Sequence, residues 1–131
     1  MTAKAFRSKK AKGKLLEKLV AQRLKEVLAE YGIDAKVMPM SGAISGFKSD
    51  IFTNLPVNIE CKNQERVSLW EWWEQAENQT SIGRFPTLVI SRNYQKEPLA
   101  VLRFEDLLTL FEWSLQAGWV SSIRKGRRII K

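Results

Sequence analysis

Three charged residues near the middle of the chain, Asp50, Glu60 and Lys62, have types and spacing that suit phosphodiester chemistry. Glu60 and Lys62 alternate with apolar residues as on a β-strand, so they share one face. A tight turn centred on Leu55 would set Asp50 opposite Glu60, with Cβ atoms about 4.5–5.5 Å apart. Two carboxylates this close repel unless a cation lies between them, and either a divalent metal ion or Lys62 can supply that charge.

A third acid, Glu17, lies in an apolar helical pattern. Glu17 precedes Val20, Leu24 and Leu28 by three, seven and eleven residues, which sets it in the middle of the apolar stripe at its N-terminal end. A carboxylate at this position either projects past the edge of the core or faces a positive charge, because burying it unpaired costs several kcal/mol.

Each of these acids also has an ordinary interpretation. Glu17 can be a glutamate favoured by the helix macrodipole at a solvated helix start. Asp50 can belong to a hairpin turn, and Glu60 and Lys62 can form an exposed ion pair. The combination nevertheless favours metal-dependent phosphodiester hydrolysis, because two carboxylates can hold Mg²⁺, which stabilises the transition-state charge. A neighbouring lysine can orient or help to deprotonate the attacking water.

The order of these motifs resembles a known family. Residues 13–17, GKLLE, resemble the G-x-x-x-E start of the first helix in archaeal-type Holliday-junction resolvases, which belong to the PD-(D/E)xK nuclease superfamily. Ser41-Gly42, Ser49-Asp50-Ile51 and Ile59-Glu60-Cys61-Lys62 are similar to the rest of that signature, over residues 7–63. Two departures stand out: Ser49 replaces the Pro of the superfamily's name, and Gln75 resembles the helical glutamine of other nuclease branches.

The resemblance implies a role for each site residue. Asp50 and Glu60 would ligate Mg²⁺, with Mn²⁺ as an alternative, together with the backbone carbonyl of Cys61, and Glu17 would complete the site directly or through water. Lys62 would position the nucleophilic water, and Ser41 would approach the scissile phosphate. The family's enzymes are homodimers that nick opposed strands of a four-way junction, which implies the same partners here and a role in DNA recombination and repair.

The charge distribution points to a polyanionic partner. The net charge is +8, and residues 1–18 hold seven bases and one acid, while residues 124–131 hold five bases and no acid. Two basic ends on a mildly acidic body suit DNA binding, although both ends can also be solubilising tails. The residues expected to contact DNA are Arg7, Lys9, Lys10, Lys12, Lys14, Lys48, Gln75, Arg127 and Arg128. Arg66, Arg84 and Arg92 can either line a DNA channel or be solvated.

Composition excludes several other classes of chemistry. The chain has no histidine and one cysteine, Cys61, which excludes His-ligated zinc, His-based triads and an intramolecular disulfide. Charges interrupt every apolar run and the N-terminus lacks a secretory h-region, so we expect an intracellular (cytoplasmic) protein of phage, archaeal or bacterial source.

Periodicity and turn residues predict a single α/β domain over residues 1–131, in the order αβββαββα, with a mixed central β-sheet flanked by helices. The resemblance implies that this is a restriction-endonuclease-like nuclease domain. Residues 1–11 are expected to form a flexible basic arm and residues 124–131 a basic tail, preceded by an edge strand. The predicted helices run from about Gly13 to Tyr31, from Ser68 toward Gly83 with a Ser68–Glu71 capping box, and from Glu105 to Gly118. The predicted strands are 34–40, 48–53, 56–62, 87–91 and 99–104.

The tryptophans of the second helix bear on function. Trp70 and Trp73 are three residues apart and are expected to face the core, which leaves Trp72 on another side as an exposed aromatic, a dimer contact or a base-stacking residue.

The leading hypothesis is a Mg²⁺-dependent endonuclease that resolves Holliday junctions. The alternatives are another PD-(D/E)xK nuclease specific for flaps, ends or duplexes, and a non-catalytic basic DNA-binding protein.

Overall fold

The structure, a computed structural model, describes residues 9–38, 49–92 and 97–118. In these ranges the chain forms three α-helices and five β-strands in the predicted order αβββαββα. The elements are α1 (Lys9–Leu28), β1 (Ala35–Val37), β2 (Ile51–Thr53), β3 (Val57–Asn63), α2 (Leu69–Asn78), β4 (Phe85–Ser91), β5 (Leu99–Val101) and α3 (Phe104–Gln116). Contacts divide the chain into two compact units, residues 1–101 and 102–131. Within the described ranges, none of the helices is long and apolar enough to cross a membrane.

The five strands form one mixed sheet in the order β1-β2-β3-β4-β5. β3 and β4 are parallel, and the other neighbouring pairs are antiparallel. The crossover between the parallel strands contains α2, as parallel pairing requires a long connection. This architecture confirms the predicted mixed α/β fold class and is consistent with a restriction-endonuclease-like fold.

The core of the first unit lies between α1 and one face of the sheet. Buried apolar residues from α1 and the first three strands form one cluster: Leu16, Ala21, Ala35, Ile51, Ile59 and Cys61. On β3, residues of both alternating sets are buried, including Asn58 and Glu60. β3 is therefore a central strand covered on both sides, so a polar side chain on it needs a partner.

The first helix starts earlier than predicted. α1 begins at Lys9, so part of the predicted flexible arm is helical, because lysine and alanine are good helix formers and nothing in residues 9–12 interrupts the pattern. A short 3-10 turn, Ala29–Tyr31, follows α1, and Gly32 ends it as predicted, in the left-handed conformation with φ of 79°.

The expectations for α2 are wrong in three respects. Trp72 is buried and Trp70 is 77% exposed, the reverse of the prediction for these two residues, because the buried stripe of α2 consists of Trp72 and Ala76. Trp73 is half-buried. The Ser68 side chain makes no capping hydrogen bond, so the capping box is not formed. The helix also ends at Asn78, before Gly83.

The second unit contains α3, which begins with Glu105 and Asp106 in its first turn, as predicted from the favourable interaction of acids with a helix N-terminus. Gly118 follows the end of α3 with φ of 100°, as a left-handed helix stop requires. The predicted edge strand and the basic tail in residues 119–131 lie outside the described residues.

Candidate active site

The turn between β2 and β3 sets the register that the site depends on. Ile51 pairs with Ile59, which is the register predicted from a turn centred on Leu55. Arg84 stabilises this turn, because its guanidinium donates to the backbone carbonyls of Thr53, Leu55 and Val57 at 3.2, 3.1 and 2.8 Å. Arg84 therefore stabilises the β2–β3 hairpin. The Arg92 guanidinium forms an exposed ion pair with the Glu65 carboxylate, with an N–O distance of 3.1 Å.

Ser49 fixes the backbone next to the first candidate ligand. Its hydroxyl donates to the carbonyl of Ile59 at 2.9 Å and accepts from the N–H of Ile59 at 3.0 Å. The N–H of Asp50 donates to the same carbonyl at 3.1 Å. The Ser49 hydroxyl thus takes the place of a backbone carbonyl as the acceptor for the Ile59 N–H. Proline has no hydroxyl and cannot form this bond.

Asp50 is 7% exposed and Glu60 is 5% exposed, and the two lie side by side. The Oδ2 atom of Asp50 accepts a hydrogen bond from the N–H of Cys61 at 2.8 Å, which orients the Asp50 carboxylate along β3. A hydrogen bond also joins the carboxyl groups of Asp50 and Glu60. Two buried carboxyls in this arrangement repel each other when both are ionised, and a cation bound between them relieves that repulsion.

The electrostatics of Glu60 reflect this crowding. Burial, followed by the negative charge of Asp50, raises the pKa of Glu60 to about 8, and the positive charge of Lys62 acts in the opposite direction. Lys62 itself is half-buried at the next position on the same side of β3. Glu60 therefore keeps its proton near neutral pH, and a divalent cation can replace that proton.

Glu17 reaches the same cluster from α1. Its side chain is buried next to Leu16, and burial and the charge of Asp50 both raise the pKa of the Glu17 carboxyl. The ammonium of Lys14 lies 3.4 Å from Glu17 Oε1 and lowers that pKa. Glu17, Asp50 and Glu60 thus share one electrostatic environment, as the helical spacing and the hairpin register predicted.

The Cys61 side chain is buried in the core cluster, on the opposite face of β3 from Glu60 and Lys62. Burial raises the pKa of the Cys61 thiol well above its usual value, with further increases from the charges of Asp50, Glu17 and Glu60. The raised pKa keeps the thiol neutral, and a neutral thiol is a weak nucleophile and metal ligand. The predicted role of Cys61 involves only its backbone carbonyl.

The donor set suits a hard divalent cation. Mg²⁺ is usually bound by one or two carboxylates and keeps several water ligands, so the Asp50–Glu60 pair is sufficient in type and number. Among residues 9–38, 49–92 and 97–118, no group of three or more Cys, Asp or Glu side chains is arranged as a ready metal cage. Glu17 would therefore act through a water molecule or after a side-chain movement.

The remaining predicted residues fall into two groups. Lys12 and Lys14 are half-buried on α1, Lys9 and Lys10 are in the first turn of α1, and Gln75 is half-buried on α2. Gln75 borders a polar groove on α2 with Glu71, Glu74, Asn78 and Gln79. The other predicted residues, Ser41, Arg7, Lys48, Arg127 and Arg128, lie outside the described residues.

Three contacts were missed by sequence reasoning: the Ser49 hydroxyl, the Arg84 guanidinium and the Lys14 ammonium. Ser49 gave a weak signal, since it occupies the position where the superfamily's name has proline. Arg84 gave none, because its carbonyl partners are brought near it only by the tertiary fold. The same holds for the bond of Lys14 to the Met38 carbonyl, whereas its pairing with Glu17 follows the i,i+3 spacing of α1.

Comparison with known proteins identifies the class. The mixed sheet places Asp50 directly before β2 and Glu60-x-Lys62 on the adjacent β3, in the order of the D…ExK motif. A family model described as "Phage putative PDDEXK endonuclease" matches residues 8–121, and the chain belongs to this family. Searches of curated proteins and of solved structures found no match. The protein is therefore a nuclease of the PD-(D/E)xK type, and the family match does not extend to the Holliday-junction resolvase type.

Proposed function

We propose that this nuclease is an endonuclease that depends on Mg²⁺ and acts on branched DNA, with the Holliday junction as its substrate. The observation that carries the metal dependence is the burial of Asp50 and Glu60 side by side, because a divalent cation bound between two such carboxylates would offset their repulsion. Mn²⁺ is the alternative ion, since it accepts the same oxygen ligands. The junction preference rests on the resemblance of the G-x-x-x-E and D…ExK motifs to those of the resolvases.

Each residue has a distinct part in the proposed reaction. Asp50 and Glu60, with the carbonyl of Cys61, would hold the metal ion, which when bound stabilises negative charge on the phosphate. Lys62 would orient the attacking water, since its ammonium lies beside Glu60 and the site has no histidine. Ser41 would contact the scissile phosphate.

Binding would rest mainly on phosphate contacts from the basic ends. The bases in residues 1–18 and 124–131 suit such contacts, which carry no sequence information, so selectivity for a junction would come from DNA shape. A homodimer would place two active sites on opposed strands. Flaps, DNA ends and plain duplexes are alternative substrates for the same active site. A direct comparison of cutting rates distinguishes them from the junction.

A substrate panel tests this proposal. Four-way junction, flap, duplex and single-stranded DNA are incubated with the protein in Mg²⁺ and in EDTA, and the products are resolved by denaturing electrophoresis. We expect paired nicks in the junction with Mg²⁺ and none with EDTA. Equal cutting of junction and duplex would refute the resolvase assignment and leave the nuclease assignment standing. Salt-sensitive binding with no cutting of any substrate would favour the non-catalytic alternative.

Variants locate the activity in the proposed site. Lys62→Ala should abolish cutting because it removes the group that orients the water, whereas Lys36→Ala should retain it. Lys36 lies exposed on β1 with its ammonium 5.3 Å from the ring centre of Phe52, so this control also loses a lysine from the sheet. Full activity of Lys62→Ala would exclude the site.

A further inference from the structure

The Lys14 ammonium connects α1 to the end of β1. It donates to Glu17 Oε1 at 3.4 Å and to the backbone carbonyl of Met38 at 3.2 Å. The N–H of Met38 in turn donates to the carbonyl of Asp50 at 3.1 Å. Lys14 therefore contacts one carboxylate of the acidic cluster directly and is linked through Met38 to the residue that carries the second.

This ion pair differs from an ordinary surface pair. Exposed pairs three residues apart on a helix contribute little, because water screens them. Here the Glu17 side chain is only 9% exposed, whereas Lys14 is 35% exposed and can move toward solvent. The carboxylate is thus fixed and desolvated while its cation has freedom to leave.

We propose that Lys14 is a positioning residue that serves as the counter-ion of Glu17 in the metal-free protein and releases this carboxylate when a divalent cation binds at Asp50 and Glu60. This inference rests on the proposed metal dependence. A divalent cation at Asp50 and Glu60 would repel the Lys14 ammonium and attract the Glu17 carboxylate, directly or through water, so its binding favours the separation of Lys14 from Glu17. The role adds to the DNA contact that the basic N-terminus predicts for Lys14.

The test is metal binding without DNA. Mn²⁺ affinity is measured by isothermal titration calorimetry at pH 7.5 for the wild type, Lys14→Met, Lys14→Arg and Lys25→Met. Lys25→Met is the matched control, because Lys25 lies on the same helix and pairs with the exposed Asp34 at 3.6 Å. Thermal unfolding of each variant is recorded with and without Mn²⁺.

We expect Lys14→Met to bind Mn²⁺ about tenfold more tightly than the wild type, because one competing positive charge is gone. Its melting temperature should fall without metal and recover more than that of the wild type on addition of Mn²⁺. Lys14→Arg, which keeps the charge, and Lys25→Met should retain wild-type affinity. If Lys14→Met does not fold, Lys14→Gln replaces it in the same measurements.

Unchanged or weaker Mn²⁺ binding by the Lys14→Met or Lys14→Gln variant would overturn the inference, because Lys14 would then only support the fold. In that case wild-type binding of Mn²⁺ would leave the proposed function intact. If neither the wild type nor any variant binds Mn²⁺, the proposed metal dependence and the role of Lys14 both fail. Binding by the Lys14 variants but not by the wild type would support the inference.

Discussion

The Glu60→Gln substitution should stabilise the metal-free protein, and more so as the pH rises. In the folded protein the pKa of Glu60 is raised from 4.5 to about 8. Between these values the folded state keeps a proton that the unfolded state loses, so the free energy of unfolding of the wild type falls as the pH rises through this window. Glutamine does not titrate, so the variant lacks this loss.

The pKa gives the size of the effect. One pKa unit corresponds to about 1.4 kcal/mol, so the shift of Glu60 sets an upper limit of roughly 5 kcal/mol at pH 8 and above. Even about 1 kcal/mol would move the melting temperature of a domain of this size by about 4 °C. At pH 4.5, where the folded Glu60 is protonated and the unfolded Glu60 is half protonated, the variant and the wild type should differ little.

The assay is urea unfolding in EDTA at pH values from 5 to 9, followed by tryptophan fluorescence. Glu30→Gln, an exposed glutamate after α1, is the control and should follow the wild type at every pH. The difference in free energy of unfolding between Glu60→Gln and the wild type should grow with pH. A difference that stays constant would refute the reasoning that the charged form of the buried Glu60 opposes folding. Calorimetry in two buffers should also show that Mg²⁺ binding at pH 7 releases protons from the wild type and fewer from Glu60→Gln.

Three further predictions concern the residues around the site. Ser49→Ala should lower the free energy of unfolding by about 1–3 kcal/mol, since it removes the hydroxyl that bonds to Ile59, whereas exposed Ser81→Ala should change it little in the same urea titration. Arg84→Met should lower the free energy of unfolding by a similar amount, because three backbone carbonyls lose a hydrogen-bond donor. Arg92→Met removes only an exposed ion pair and should lower it by less than about 1 kcal/mol. Equal losses of stability in the two variants would contradict the assigned role of Arg84. Cys61 should react slowly with a disulfide reagent at pH 8 in the folded protein and rapidly in urea, because burial keeps its thiol neutral; rapid reaction before unfolding would contradict this.

The hairpin at the site could be predicted from sequence because two local rules agree. Asn54-Leu55-Pro56 is a typical turn, and its centre at Leu55 predicts the register. The alternation of apolar and polar residues in β3 excludes a slip of one residue, which would move every side chain to the other face. The observed pairing of Ile51 with Ile59 confirms that register. The position of Glu17 followed from helical spacing in the same way, because three- and four-residue steps define one face of α1.

The orientation of α2 could not be predicted, because its tryptophans lie on more than one side of a ten-residue helix and periodicity does not choose between them. Packing against β3 and β4 decides in favour of Trp72 and Ala76. The bonds of Ser49, Arg84 and Lys14 also depend on tertiary approach, since their partners are 10, 27–31 and, for the Met38 carbonyl, 24 residues away in the chain. Sequence spacing carries no information about such contacts.

The central claim is that Asp50 and Glu60 together hold one divalent cation. Crystals soaked in Mn²⁺ and measured at the manganese absorption edge locate that ion directly. We expect one anomalous peak within coordination distance of both carboxylates, and its loss in crystals of Asp50→Asn. An anomalous peak only at another place in the wild-type protein, or no peak near these two side chains, would contradict the account.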